Sequence, residues 1–233
     1  MQEKNKYGLS YFYPSKTFPS DKIEIGIDEA GRGPLFGPVF VAAVVLPKDG
    51  SFDYSEMRDS KKITSIKKRR ELSKYIQENA AFWSIHAISA EEIDQINIRQ
   101  AVLKGMRQCI HDILSNPLLE KESLENVFLM VDGNDFPPYV HFDESTEIST
   151  PIAHDTITGG DNLYVSIACA SILAKCARDE YILNLCLEHP ELKTRYRIDQ
   201  NMGYGTKHHL DGILANGITE WHRKTYGRCK TTS

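Results

Sequence analysis

The chain has no apolar run approaching the roughly 18 residues that cross a bilayer, and Met1 to Tyr7 lack the apolar stretch of a secretory signal. Both lacks predict a soluble, cytoplasmic protein. The five cysteines, at 109, 169, 176, 186 and 229, include no Cys-x-x-Cys pair, so reduced thiols in a reducing compartment are expected. No Gly-x-x-x-x-Gly-Lys-Ser/Thr loop is present, which argues against a P-loop ATPase. Positive charge is short as well, with 28 Lys and Arg against 32 Asp and Glu for a net charge of −4. Any binding of nucleic acid must therefore use local patches rather than bulk charge. No repeat or low-complexity tract interrupts the 233 residues, and 41% hydrophobic content suffices for one substantial core.

What is present concentrates first in residues 23–34. Ile23, Ile25 and Ile27 alternate with smaller or polar positions, the pattern of a strand burying one face. Asp28 and Glu29 follow at once, and the chain then turns through Gly31 and Gly33 around Arg32. Carboxylates beside bare backbone amides suit a metal ion touching a phosphate; solvated acids in a flexible turn are the plainer reading. The continuation weakens the plainer one, because Val39 to Leu46 is a second strand too apolar for the surface.

Three further stretches carry acids or bases in suggestive places. The run from Arg58 to Arg70 is strongly basic and leads into a helix capped by Thr64 or Ser65. It is either a solvated face or a set of phosphate contacts that position a duplex without reading its sequence. Val127 to Val131 reads as a strand buried on both faces and ends in Asp132-Gly133-Asn134, at a strand end where α/β proteins place catalytic groups. Thr158-Gly159-Gly160-Asp161 leads into a helix expected from about Asn162 to Leu187, with a seam at Leu163, Ile167, Ala170, Ala174, Ala177 and Tyr181. Asp161 could simply be that helix's N-cap.

Elsewhere, Ala81 to Ile88 reads as a strand, and Ser89 to Glu92 as the capping start of a long helix whose Asn97 is either a phosphate contact or merely exposed. Residues 135–150 read as loop, with an edge strand near 147–153. Tyr204 between two glycines looks exposed. His208 and His209, adjacent on a helix, point apart and read as surface residues.

The segment Asp-Glu-Ala-Gly-Arg-Gly-Pro-Leu-Phe-Gly-Pro-Val from Asp28, the Asp-Ser-Lys-Lys piece at 59–62, the stretch 96–101, and Gly159-Gly160-Asp161 with Ser171 to Lys175 and Arg178-Asp179 together resemble bacterial-type ribonuclease HII. The resemblance runs from about Ile23 to Tyr226 with the motifs in order. It implies an α/β, RNase H-like fold: a mixed central sheet flanked by helices, with a small helical C-terminal region. The expected division is an irregular arm over 1–21, a catalytic domain over 22–190 and a helical substrate-binding region over 191–233.

The same resemblance implies endonucleolytic cleavage of the RNA strand of RNA–DNA hybrids, including 5′ of a single ribonucleotide in duplex DNA, leaving 5′-phosphate and 3′-hydroxyl ends. Asp28, Glu29, Asp132 and Asp161 would be the catalytic metal ligands. Four converging carboxylates need a cation to relieve their repulsion, and oxygen-only ligands select Mg²⁺ or Mn²⁺, acting as two ions in an in-line displacement. Gly31, Arg32 and Gly33 would sense the 2′-hydroxyl, and Tyr204 would stack on the following deoxynucleotide. Lys61, Lys62, Lys175 and the basic tail would hold phosphates. The expected partner is the nucleic acid duplex, with no membrane and the protein a monomer. Two departures stand: the arm before Ile23 lies outside the signature, and Met202 occupies a place where lysine is common. The alternative from another class is a hybrid-binding module without catalysis, which would replace at least one of the acids; none is replaced.

Overall fold

A computed structural model of the chain describes residues 4–13, 22–116, 119, 124–143 and 147–231. In chain order the regular elements are β1 (Ile23–Ala30), β2 (Val39–Val45), α1 (Ile66–Asn79), β3 (Phe82–Ile88), α2 (Ala90–Leu114), β4 (Val127–Asp132), β5 (Tyr139–Asp143), β6 (Ile148–Ile157), α3 (Val165–Glu188), α4 (Glu191–Tyr196), α5 (Ile198–Asn201) and α6 (Lys207–Asn216). The strands form one six-stranded sheet in the order β3-β2-β1-β4-β6-β5. β1, β4 and β6 run parallel, while β2, β3 and β5 run antiparallel to their neighbours. This is the mixed sheet flanked by helices that the sequence leads one to expect.

Strand alternation sorts the side chains between two layers. Ile25, Ile27, Val41, Ala43, Leu129 and Val131 pack with α2 residues such as Met106 and Ile110. On the other face, Ala42 and Val44 meet α3 through Cys169, Ile172 and Leu173, and meet α1 through Leu72 and Ile76. A third cluster joins Phe36, which follows β1, to the end of α3 and to Leu192, Tyr196, Ile198, Ile213 and Cys229. The C-terminal helices therefore share a core with the β1–β2 turn.

Two local predictions are met closely. Ser65 caps α1 by accepting from Lys68 N–H, and Ser89 caps α2 by accepting from Glu92 N–H. Asn97 is exposed and lies at φ 67° inside α2, where its Oδ1 accepts from Gln100 N–H at 3.1 Å and so caps the helix afresh after the kink.

Other expectations change. Residues 135–150 are not simply loop: β5 is the sheet's edge strand, and β6 lies inside it between β4 and β5. The polar content of β5 and β6 disguised them, because each leaves one face in solvent; Val140, Phe142 and Ile148 are exposed there. Helix α3 starts at Val165 rather than near 162; Ile167, Ala170 and Ala174 of its seam are buried, whereas Leu163 and Tyr181 are exposed. In the arm, Leu9 is buried, Ser10 bridges to Tyr164, and Tyr13 stacks on Phe128. Residues 14–21, with Pro14 and Pro19, lie outside the described residues.

One close approach between layers is at Gly26. A Cβ there would lie 2.3 Å from the Ser166 carbonyl carbon and 2.6 Å from Ile167 N, so α3 rests directly on the β1 backbone. Gly26→Ala should lower stability by about 1–3 kcal/mol, the usual cost of overpacking a closed core. A lower urea midpoint at unchanged m-value is the expected readout.

Candidate active site

The three parallel strands end on the same side of the sheet, and each delivers an acid there. Ile27 pairs with Val131, so Asp28 and Asp132 are the next residues out on neighbouring strands. Asp132 in turn pairs with Ile157 at the end of β6, from which the chain passes to Asp161 in a single 3₁₀ turn, Gly160–Asn162. Asp161 is not the N-cap of α3. That position is Tyr164, which makes no side-chain capping bond, and Asp161 instead points its carboxylate at the other acids' end of the sheet, where it senses Asp132.

Burial and mutual repulsion dominate the electrostatics. Asp28 is 4% exposed, and its pKa is pushed well above the carboxylate range by burial first, then by Glu29 and Asp132, with a Ser171 hydrogen bond opposing. Glu29 is raised by burial and Asp132 against the pull of Arg32 and Lys61. Asp161 is raised by burial, Asp59 and Asp132. Partial burial pulls Lys61 down, but the carboxylates of Asp161, Asp28, Asp59 and Asp132 outweigh it and hold that ammonium above its ordinary pKa. Lys61 is the cation that faces the cluster.

The residue types fit a hard divalent ion, because every donor is a carboxylate oxygen and Asp28 and Asp161 are buried charges short of counter-charge. Among the described residues, however, no three His, Cys, Asp or Glu side chains are gathered tightly enough to hold an ion. Each acid has found a donor of its own. Asp28 Oδ1 accepts from Glu29 N–H (2.7 Å), Asp132 Oδ1 from Gly160 N–H (2.7 Å), and Asp161 Oδ1 from the Asn162 amide (2.8 Å), while Glu29 pairs with Arg32 at 3.3 Å. Gathering around a cation requires these carboxylates to close on one another.

The glycine turn lies beside the acids. Gly31 takes φ 101°, and a Cβ there would strike the Arg178 guanidinium at 2.3 Å. Arg32 and Gly33 are exposed. Tyr204 is brought to the same place from far along the chain: among the described residues, a Cβ on Gly33 would meet within 4 Å only Tyr204 Cε1, at 3.7 Å. The loop is tied down by Leu35 N–H donating to Gly203 O at 2.8 Å. The Tyr204 side chain is left 47% exposed, an aromatic face open to a ligand.

The lysines divide. Lys61 faces the acids, and Lys62 donates to Asn162 beside them. Lys175 lies elsewhere: its ammonium pairs with Asp179 at 2.6 Å, and Asp179 also takes Arg69 at 2.6 Å. That charge is spent inside the α1–α3 packing and has little left for a phosphate.

Several participants escape a linear reading. Asp59 passes for the lone acid of a basic run, yet it is buried, receives Lys61 N–H at 2.8 Å and adds to the field on Asp161. Ser171 and the wholly buried Arg178 and Arg223 also belong to the surroundings of the site. An arginine on an apolar helix face, as Arg178 is, was the available signal.

His209 also corrects an expectation. His208 is exposed, but His209 is fully buried and bonded to buried His222. Thr219 N–H donates to His222 Nδ1 (2.9 Å), which leaves the His222 proton on Nε2. That proton goes to His209 Nε2 (3.1 Å), so His209 carries its own on Nδ1 and donates it to the Tyr204 carbonyl (2.9 Å). Two neutral rings of fixed tautomer thus anchor the Tyr204 backbone.

Solved structures that align with this chain include ribonucleases H. The ribonuclease H2 of Pyrococcus horikoshii aligns with a TM-score of 0.68 at 16% identity, covering 90% of this chain and 96% of its own. Bst ribonuclease HIII solved in complex with Mn²⁺ aligns at 0.62 with 15% identity over 91% of this chain and 69% of its own. At such identities the agreement concerns the fold, which is that of the ribonuclease H-like class. Sequence narrows it further. Residues 25–229 match the family model described as Ribonuclease HII. The ribonuclease HII of Parabacteroides distasonis is 42% identical over 205 residues, 88% of this chain and 90% of its own, and that of Francisella tularensis subsp. novicida is 41% identical over 206 residues, 88% and 96%. The chain belongs to the ribonuclease HII family and is a hydrolase of the ribonuclease H type.

The histidine pair gives a pH dependence of known sign. Burial, then His209, holds His222 down at about 3, and burial lowers His209. The unfolded chain takes up protons near the ordinary histidine pKa of about 6.5 while the folded chain does not, so the stability present above that pH is lost as pH falls below it. Glu24, raised to about 7 chiefly by burial, acts in the opposite direction, so the comparison must be internal. Between pH 7.5 and 5, the melting temperature of a His209→Gln/His222→Gln double variant should change less in the destabilising direction than that of the parent.

Proposed function

We propose that the protein is a metal-dependent endoribonuclease that cleaves the RNA strand of RNA–DNA hybrids and cuts on the 5′ side of a single ribonucleotide embedded in duplex DNA. The products are a 5′-phosphate and a 3′-hydroxyl. The observation that carries this reading is the meeting, at one end of the parallel strands, of Asp28, Glu29, Asp132 and Asp161 with the Arg32-Gly33 backbone and the open ring of Tyr204.

In this reading the four acids hold Mg²⁺ or Mn²⁺. A divalent ion bound there supplies a water of lowered pKa and neutralises charge on the phosphate and the leaving oxygen. The chain's own residues do the rest. Burial and mutual repulsion raise the carboxyl pKa values of Asp28, Glu29 and Asp161, and a bound divalent cation would supply the counter-charge that their ionised forms lack. Arg32 and Gly33 offer backbone donors at the height of a sugar 2′-hydroxyl, the group that separates RNA from DNA. Tyr204, beside Gly33, offers a flat apolar face on which the sugar or base of the following deoxynucleotide rests, which sets the register of the cut. Lys61 and Lys62, next to the acids, attract the flanking phosphates. The chain acts as a monomer in this scheme, with residues 22–190 carrying the chemistry and 191–233 gripping the duplex.

The deciding assay is cleavage of an end-labelled DNA duplex that contains one ribonucleotide, with Mg²⁺ or Mn²⁺ and with EDTA. A single metal-dependent cut 5′ of the ribonucleotide is expected. Asp132→Asn should reduce it by about 10²–10³-fold or more, the scale of removing one preorganised charge from a reacting centre; an active Asp132→Asn enzyme would overturn the assignment of the acids. Tyr204→Ala should cost about 1–3 kcal/mol of stacking, roughly 5- to 150-fold in cleavage efficiency at the junction. Full junction cleavage by that variant would remove Tyr204 from the scheme.

A further inference from the structure

The turn between β1 and β2 is held from behind by two arginines that form no ion pair among the described residues. Arg223 is fully buried and spreads its guanidinium over three main-chain carbonyls: Gly31 O from Nη2 (2.6 Å), Arg32 O from Nη1 (2.9 Å) and Gly37 O from Nε (2.9 Å). Arg178, also fully buried, reaches Pro38 O (3.3 Å), Phe36 O (3.2 Å) and Met202 O (3.0 Å). Neither forms an ion pair among the described residues, because Asp179, the acid next to Arg178, is engaged by Arg69 and Lys175. Arg178 Nη1 is buried and has no acceptor among the described residues. Burial lowers both guanidinium pKa values, that of Arg178 to about 10, so both stay charged at neutral pH.

The consequence lies on the opposite side of the same peptides. A trans peptide points its N–H away from its C=O. When Arg223 draws the Gly31 and Arg32 carbonyls inward, the N–H groups of Arg32 and Gly33 are turned outward. Among the described residues neither of these amides donates to any acceptor. Two donors are thus aimed at solvent beside Tyr204 and the acids, backed by two buried positive charges. The same clamp includes Tyr204, since Arg178 holds Met202 O and Tyr226 Oη donates to Arg32 O at 3.1 Å.

We propose that Arg178 and Arg223 are positioning residues that aim the Arg32 and Gly33 amides at the 2′-hydroxyl oxygen of the ribonucleotide. Their positive charge, unpaired among the described residues, polarises these peptides and strengthens the two N–H groups as donors. The proposal rests on the reading of the turn as the ribonucleotide sensor given above. It makes Gly31 and Arg178 interdependent, because a side chain at 31 would occupy the guanidinium's place.

The test uses Arg223→Lys, which keeps the charge but loses the three-pronged fork. Cleavage efficiency is measured on two duplexes that differ only at one sugar, a ribonucleotide or its 2′-fluoro analogue, with the parent and variant melting temperatures alongside. General loosening lowers both efficiencies together. Loss of aim lowers the ribonucleotide-to-fluoro ratio, and a fall of about 10-fold is expected; an unchanged ratio overturns the proposal.

Should Arg223→Lys fail to fold, amide hydrogen exchange on the parent protein decides. In EDTA, the Arg32 and Gly33 amides should be protected at least about 10-fold more by the duplex with one ribonucleotide than by the all-DNA duplex. Equal protection overturns the proposal. If the parent protein does not cut the ribonucleotide duplex with metal, the functional reading above has failed, and the exchange measurement still judges the clamp on its own.

Discussion

Repulsion between carboxylates at the ends of parallel strands is the constraint around which the rest is arranged. β1, β4 and β6 finish together, and an acid stands at or just beyond each end, Asp28 and Asp161 buried. Such a grouping persists only if cations answer it. In the protein alone the answer is makeshift: Lys61 faces the cluster, Arg32 pairs with Glu29, and backbone amides cap Asp28 and Asp132. Every one of these partners is the kind of group that a metal ion or a phosphate displaces readily.

Positive charge is distributed to match. The chain as a whole is acidic, yet its two fully buried arginines, Arg178 and Arg223, are set behind the β1–β2 turn, with backbone dipoles between them and the solvent. This separates the two signs by the thickness of one turn. The acids lie on one side of Arg32 and the guanidinium-backed amides on the other. A phosphodiester carrying its metal ions needs both.

How much of this was legible in the sequence depended on whether the cause was local. The alternation at Ile23, Ile25 and Ile27, the apolar β4 and the serine caps of α1 and α2 are settled by neighbours within one element, and all were readable. The positions of Asp28, Asp132 and Asp161 at structural junctions were readable too, although which acids meet depends on the pairing of β1 with β4 and β4 with β6. What stayed hidden was decided at long range. β5 and β6 are half-solvated and look like loop; His209 looked like a surface residue until its partner His222 was placed 13 residues later. Asp59 was masked by the lysines around it. Lys175 matched a family motif, but the motif could not reveal that Asp179, one helical turn on, occupies its charge.

The reach of Arg223 has a consequence for how the protein is made. The guanidinium is 192 residues from Gly31 along the chain and 191 from Arg32, so β1 and its turn leave the ribosome long before the group that shapes them. At about 5–20 residues per second, the sensor is without its clamp for roughly 10–40 s of synthesis. During that interval the strands and the acids can assemble, but the turn has no fixed aim. A chain broken off before its last dozen residues would lack Arg223 and, with His222 and Cys229, part of the third core cluster and its surroundings. The conformation of the β1–β2 turn is therefore a property of the finished polypeptide.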